Sequence, residues 1–235
     1  MDIEAYLHKE LADSARDYGI LQWPSRSDIL ALVKRSGQLF IYATTVVLII
    51  FDRVESDPKG QLRRILASSG MEPGMDTLEQ LYLDILNAAS PPQSKPENHH
   101  RLCRVLGAIL VLVDPLPPAA LERLLGLERG QVRETLMRLH SVLMVPDTAG
   151  PMRVIHKSFI DFLTTRCESR FRIDAPAHNG HMAIRCLALM TEQISPLSAF
   201  GYQGIVALLT KDSTFSIALT AFCIIFGAGN FLSTF

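Results

Sequence analysis

The most constraining feature of this sequence is an ordered pattern of apolar runs and turn formers between residues 101 and 165. Residues 101–113 are an apolar stretch with helical periodicity, stopped by Asp114-Pro115. Pro117-Pro118 opens a short helix with Leu121, Leu124 and Leu125 on one face, and Gly126 ends it. Proline is tolerated there because a first-turn N–H has no intrahelical acceptor to lose. A third helix is predicted through Val132, Leu136 and Leu139, spaced four and three apart. Two short apolar runs follow, VLMV at 142–145 and MRVI at 152–155, joined by the turn-forming string PDTAGP. That is the pattern of a β-hairpin. A helix over 156–165 follows, with Phe159, Phe162 and Leu163 as its apolar stripe. Three helices and a hairpin in this order are the order of a winged helix, a variant of the helix-turn-helix. A winged-helix-like domain is therefore expected over residues 101–165.

The flanks divide at two places. Residues 90–100, SPPQSKPENHH, carry three prolines among polar residues, so a linker is expected over 91–100. Before it, residues 1–90 read as a helical domain. Ile3, Tyr6, Leu7 and Leu11 recur at helical spacing until Trp23-Pro24 breaks the run, and Ser27-Asp28 can cap a helix through Ile29, Leu32 and Val33. The uncharged run at 38–51, QLFIYATTVVLIIF, is shorter than the ~18 residues a membrane span needs, so a helix buried on most faces is expected. Leu78, Leu81, Tyr82, Ile85 and Leu86 predict another amphipathic helix, capped near Asp76-Thr77. Further helices are expected over 166–195.

The last forty residues differ in kind. From 196 to 235 the charged residues are Lys211 and Asp212, and 213–235 is an uncharged stretch of 23 residues. It is long enough to span a bilayer as a hydrophobic C-terminal helix. Its ten Phe, Ile and Leu residues favour insertion, at roughly −0.3 to −0.6 kcal/mol each. The Ser-Thr pairs, Asn230, Gly227 and Gly229 oppose it. Lys211 and Arg185 precede it and no charge follows, which would leave the body cytosolic. The alternatives are an unpacked tail, a splicing artefact or a buried terminal helix. The N-terminal MDIEAYLHKE has no apolar h-region, so a cytosolic address without a signal peptide is the expectation.

Several chemistries are argued against by charge and spacing. Lys and Arg total 23 against 24 Asp and Glu, a net charge of −1, which opposes a globally basic nucleic-acid binder. Arg129, Arg133 and Arg138 on the third predicted helix would be the phosphate contacts of a DNA-binding winged helix. Glu128 and Glu134 share that segment, so the field is weak. Cys167, His178, His181 and Cys186 hold the atom types of a zinc site, but no cysteine has a close cysteine partner, and the four cysteines form no disulfide framework. His156, Ser158 and Asp161 are the residue types of a hydrolase triad, but one helix turn of six residues does not aim them at one another in sequence.

Five strings in order resemble a known family. SGQLFIYAT (36–44) resembles the helix that follows the nucleotide-binding core in fungal NACHT-domain proteins, and LEQLYLDIL (78–86) their next segment. LGAILVL with Pro115-Leu116 (106–116), LHSVL (139–143) and RVIHKSFIDFL (153–163) resemble the winged helix after it. The string HKSFIDFL (156–163) is also similar to one that animal NLR proteins carry at the same place. The resemblance covers residues 1–195. It implies a two-state P-loop signalling switch in which ADP holds the nucleotide-binding domain against the winged helix and ATP releases it for oligomerisation. It implies that the residue matching the phosphate-sensing histidine is His156. A histidine N–H donating to an ionised oxygen makes a strong hydrogen bond.

The chain departs from that family in its motor. GxxxxGK[ST] is absent, Gly60 and Gly70 lack P-loop order, and no apolar strand ends in paired acidic residues. No cofactor is expected in this chain, with ADP or ATP reserved for a longer parent. The expectation is a mainly α, non-catalytic regulatory fragment of a NACHT-type switch. Its expected partners are proteins, either its own copies or a nucleotide-binding domain in cis or trans.

Overall fold

A computed structural model describes residues 2–52, 56–67, 75–146, 150–167 and 170–194. The described residues are mainly helical with one small antiparallel sheet of two strands. They form two compact units, one of the described residues up to 93 with 137–143 and the other of the described residues in 94–136 and 144–194.

In the first unit, α1 (Ile3–Asp17) is capped by Asp2 and buries Leu7, Leu11 and Ala15 toward α2 and α3. The N-cap of helix α2 (Arg26–Ser36) lies two residues before the expected Ser27. Ser25 is the N-cap and Asp28 sits at the third helical position, each side chain receiving the other's backbone N–H. This reciprocal capping box satisfies two amides that the helix leaves free. Gly37 ends α2 in the left-handed conformation at φ 52°, where a side chain is disfavoured. Helix α3 (Phe40–Ile50) is the uncharged run, and it buries Tyr42, Ala43, Thr45, Val46, Val47 and Ile50. Its eleven residues rise about 16 Å, roughly half a hydrocarbon core.

Helix α4 (Pro58–Ala67) was not evident in the apolar pattern. It starts at a first-turn proline, and the Asp57 carboxylate accepts the Gly60 N–H at 2.9 Å. At its other end the Arg35 guanidinium donates to the Ile65 and Leu66 carbonyls, both at 2.8 Å, covering acceptors that a helix C-terminus leaves unpaired. Helix α5 (Met75–Ala89) buries Leu78, Leu81, Tyr82, Ile85 and Leu86 as the periodicity predicts, but its backbone is helical from Met75, ahead of the expected cap at Asp76-Thr77.

In the second unit, α6 (Pro96–Val111) begins inside the expected linker, with Pro96 in its first turn. Residues 96–100 are therefore helix, because a proline with polar neighbours starts a helix as readily as it interrupts one. Helix α7 (Pro118–Leu125) ends at Gly126 with φ 64°. Helix α8 (Gln131–Leu136) stops before Leu139, although Leu139 is fully buried. Within 137–143, the segment that belongs to the first unit, the Leu143 N–H donates to the Leu139 carbonyl at 2.8 Å, so a turn carries on the apolar spacing that suggests continuous helix. The strands β1 (Leu143–Met144) and β2 (Arg153–Val154) pair, and the Met152 N–H donates to the Leu116 carbonyl at 3.0 Å, tying the hairpin to the α6–α7 connection.

Helix α9 (Lys157–Asp161) does not run through to Thr165. It passes into a π turn over Phe162–Arg166, where the Cys167 N–H reaches back to the Phe162 carbonyl at 2.8 Å. Thr164 and Thr165 hydroxyls donate to the Ile160 and Asp161 carbonyls, drawing acceptors away from the α-helical ladder. Phe159, Phe162 and Leu163 are buried all the same. Helix α10 (Ala175–Ile194) packs against α6 and α7. The expected hydrophobic C-terminal helix at 196–235, including 213–235, lies outside the described residues. Among those residues, no helix is long and apolar enough to cross a membrane.

Candidate functional site

His156 sits at the junction of hairpin and helix. Its backbone is extended, at φ −144° and ψ 141°, and it is the N-cap of α9. Its Nδ1 accepts the Ser158 backbone N–H at 3.1 Å and lies 2.7 Å from the Ser158 hydroxyl. An imidazole nitrogen that accepts an amide N–H carries a lone pair and no proton. The neutral ring therefore carries its proton on Nε2, and this second nitrogen is the one left to donate. The residue is exposed, so the Nε2–H faces no cost of burial before meeting an external acceptor. Phe159 and Phe162, both buried, anchor the helix whose first amides His156 caps. A strand exit before it and an apolar helix after it hold the side chain in place.

The other candidate groupings are dispersed. Ser158 is tied to His156 Nδ1, while Asp161 belongs to the next turn and its backbone carbonyl receives Thr165. His156 and Ser158 form a capping arrangement. Of the three arginines assigned to one helix, α8 carries only Arg133; Arg129 precedes it and Arg138 follows it. The helix is shorter than its apolar spacing suggests because the Gly130 turn starts it late and the 137–143 turn ends it early.

The cysteines among the described residues, Cys103, Cys167 and Cys186, are free thiols, and the last two are buried. Burial pushes the Cys186 thiol up to about 11, well outside the range of a ready metal ligand. Cys103 lies 3.6 Å from His99 Nε2 and its thiol also is pushed up, chiefly by burial. His178 and His181 are neighbours on α10, with ring centroids 6.4 Å apart. No three His, Cys, Asp or Glu side chains gather into a metal-holding group among the described residues.

Two polar devices carry no motif in the sequence. Glu122 is buried on α7, and its Oε1 accepts the Gly130 and Val132 N–H groups at 2.9 and 3.1 Å. It serves as the cap for α8 from a neighbouring helix. Arg104 Nη2 donates to the Leu125 carbonyl at 2.7 Å and Arg185 Nε to the Leu124 carbonyl at 3.1 Å, so guanidiniums from α6 and α10 close the C-terminus of α7.

No family model, curated protein or solved structure matches the chain.

Proposed function

We propose that this chain is a non-catalytic regulatory and interaction module of a NACHT-type signalling NTPase, with a winged helix over 101–165 and His156 as the group that meets the nucleotide phosphate in a P-loop-bearing parent. The observation that carries this reading is the placement of His156: it is exposed, caps α9 through Nδ1, and keeps Nε2 as its remaining donor. A phosphate oxygen is the strongest acceptor such a donor meets. The order of α6, α7, α8, the β1–β2 hairpin and α9 supports the winged helix. The five strings in family order support the parent. In this reading the body is cytosolic, and partners are further copies of the chain or a nucleotide-binding domain.

The test is to isolate the endogenous protein with an antibody against residues 101–165, determine its intact mass and measure ADP affinity with and without His156→Ala. The expected result is a species well above 26.1 kDa that contains P-loop peptides and loses about tenfold in ADP affinity, or about 1.4 kcal/mol, on the substitution. A P-loop species whose ADP affinity ignores His156 overturns the sensing role. A 26.1 kDa species that turns over ATP overturns the whole assignment.

A further inference from the structure

The first unit holds a cavity that has no part in that reading. It measures about 230 Å³ and lies between the end of α3, helices α4 and α5, and the 137–143 segment. Ile49, Ile65, Leu81 and Ile85 form its apolar wall. Asp52, Gln61, Arg64 and Arg138 also line it, and each is engaged with neighbours of its own. Two further polar side chains at the cavity have donors or acceptors to spare. Ser141 is 7% exposed, and its hydroxyl makes no hydrogen bond among the described residues. The polar atoms sealed in protein without a partner there are His99 Nδ1 and Arg101 Nε. Ser141 Oγ is not one of them, so the hydroxyl opens on the cavity that the residue lines.

Asp84 is the second. The residue as a whole is exposed, which puts it at the mouth of the cavity. Its Oδ1 accepts the Gln80 side-chain amide at 2.9 Å, and its Oδ2 has no partner among the described residues. Partial burial raises the carboxyl, the Gln80 hydrogen bond opposes this, and no cation's field enters the balance. The guanidiniums of Arg64 and Arg138 therefore serve other parts of the lining, since a cation within about 4–6 Å of a carboxylate pulls its titration down. What Asp84 and Ser141 both lack is a donor. Leaving a buried polar group without one costs free energy that a bound donor removes. Both side chains line one cavity of small size, so a single ligand reaches both.

We propose that this cavity binds a primary alkylammonium group, its N–H donors on the Asp84 carboxylate and the Ser141 hydroxyl and its alkyl stem on Ile49, Ile65, Leu81 and Ile85. An ammonium carries three donors and no acceptor, and hydrogen bonds between ionised partners are the strong ones. The volume lies below the ~300 Å³ at which pockets for drug-sized ligands begin, which suits a stem of a few carbons. The cavity belongs to the first unit and His156 to the second, so this site stands or falls separately from the nucleotide reading.

The probe is n-butylammonium chloride, titrated into the full chain at pH 7.5 while the backbone amides of Asp84 and Ser141 are followed by NMR. Saturable shifts at both positions are expected. The ammonium ion, which lacks the stem, and n-butanol, which lacks the charge, should each bind at least about tenfold more weakly. Asp84→Asn keeps an oxygen for Gln80 and removes the charge, and it should weaken the complex at least about tenfold. Ser141→Ala breaks no hydrogen bond among the described residues and should weaken it about threefold. Thermal unfolding of both variants near the parent's Tm shows that lost binding is not lost fold, and His156→Ala should bind as the parent chain does. The methylamide of Nα-acetyl-lysine carries the same group on a peptide backbone. Binding tighter than that of butylammonium assigns the cavity to a lysine of a protein partner, and weaker binding assigns it to a free amine. Absence of saturation at 50 mM butylammonium, equal binding of butanol, or indifference to Asp84→Asn overturns the proposal.

Discussion

Glu122 illustrates how one side chain can decide a local fold. It is 5% exposed, and its single oxygen Oε1 receives two amides from the turn and first residues of α8. Helix α8 has only six residues, too short to hold itself together in water. Gly130 at φ 90° allows the turn that presents those amides, in a region where residues with a side chain are strained. Replacing Glu122 with Ala would leave the buried Val132 N–H without its acceptor and free the half-buried Gly130 N–H, and hydrogen bonds to a charged partner are worth about 1.5–3 kcal/mol. Glu122→Ala is therefore expected to cost about 2–3 kcal/mol in urea unfolding, with Glu122→Gln costing less because an amide oxygen still accepts. Equal costs for the two substitutions would mean that the carboxylate's charge and shape, and not its acceptor role, hold the turn. His156 works by the same chemistry at lower stakes, because its amide partner is exposed and water can replace it.

At the level of elements, the close approach of α6 and α10 depends on Gly107. A Cβ built there would lie 2.2 Å from His178 Nδ1 and 2.6 Å from its Cγ, too near for the ring to yield without moving its own helix. Alanine in mid-helix gains about 1 kcal/mol over glycine in an unhindered setting, whereas forcing extra volume into packed contact costs typically 1–3 kcal/mol. Gly107→Ala should therefore destabilise by about 1–2 kcal/mol. Paired with His178→Ala it should instead be neutral or stabilising, since the clash is gone and the propensity remains. Thermal unfolding of the two single variants and the double variant measures this coupling directly.

That packing also shows which structure could be read from the sequence. Helix α7 was legible in full because Pro118 and Gly126 mark its ends by local backbone preference. The buried stripe of α5 was legible because five apolar residues keep one period. The α6–α10 crossing was not legible. Gly107 and His178 are far apart in the chain, and neither carries a local signal of the other. The end of α8 misled because Leu139 keeps helical spacing from within a turn. The π turn after α9 arises from threonine hydroxyls competing for carbonyls, which no hydrophobic period reports. His156 was identified as the residue of interest by its string, but its tautomer required the Ser158 amide to be seen.

At the scale of the whole molecule, the two units carry titrating groups with opposite pH behaviour. In residues 94–194, burial holds His99 and His178 below the usual imidazole range. The unfolded chain then takes up protons first, so their contribution is complete above about pH 6.5 and is lost as the pH falls toward the lowered folded values. Cys103 and Cys186 are raised by burial. Their contribution is complete below the unfolded thiol value of about 9 and is lost as the pH rises toward the folded one. Stability of this unit should therefore peak between about pH 6.5 and 9 and fall on both sides. In the first unit, burial raises the Asp84 carboxyl. Its folded form holds a proton longer than the unfolded form, so acid favours folding there. The chain's single tryptophan, Trp23, lies against Phe51 with ring centroids 6.3 Å apart and reports on the first unit alone. Urea midpoints from far-UV circular dichroism should thus drop between pH 7.5 and 5.5, while midpoints from Trp23 fluorescence hold or rise. If both signals drop together over that interval, the imidazoles act on one cooperative fold and the division into two independently stable units is wrong.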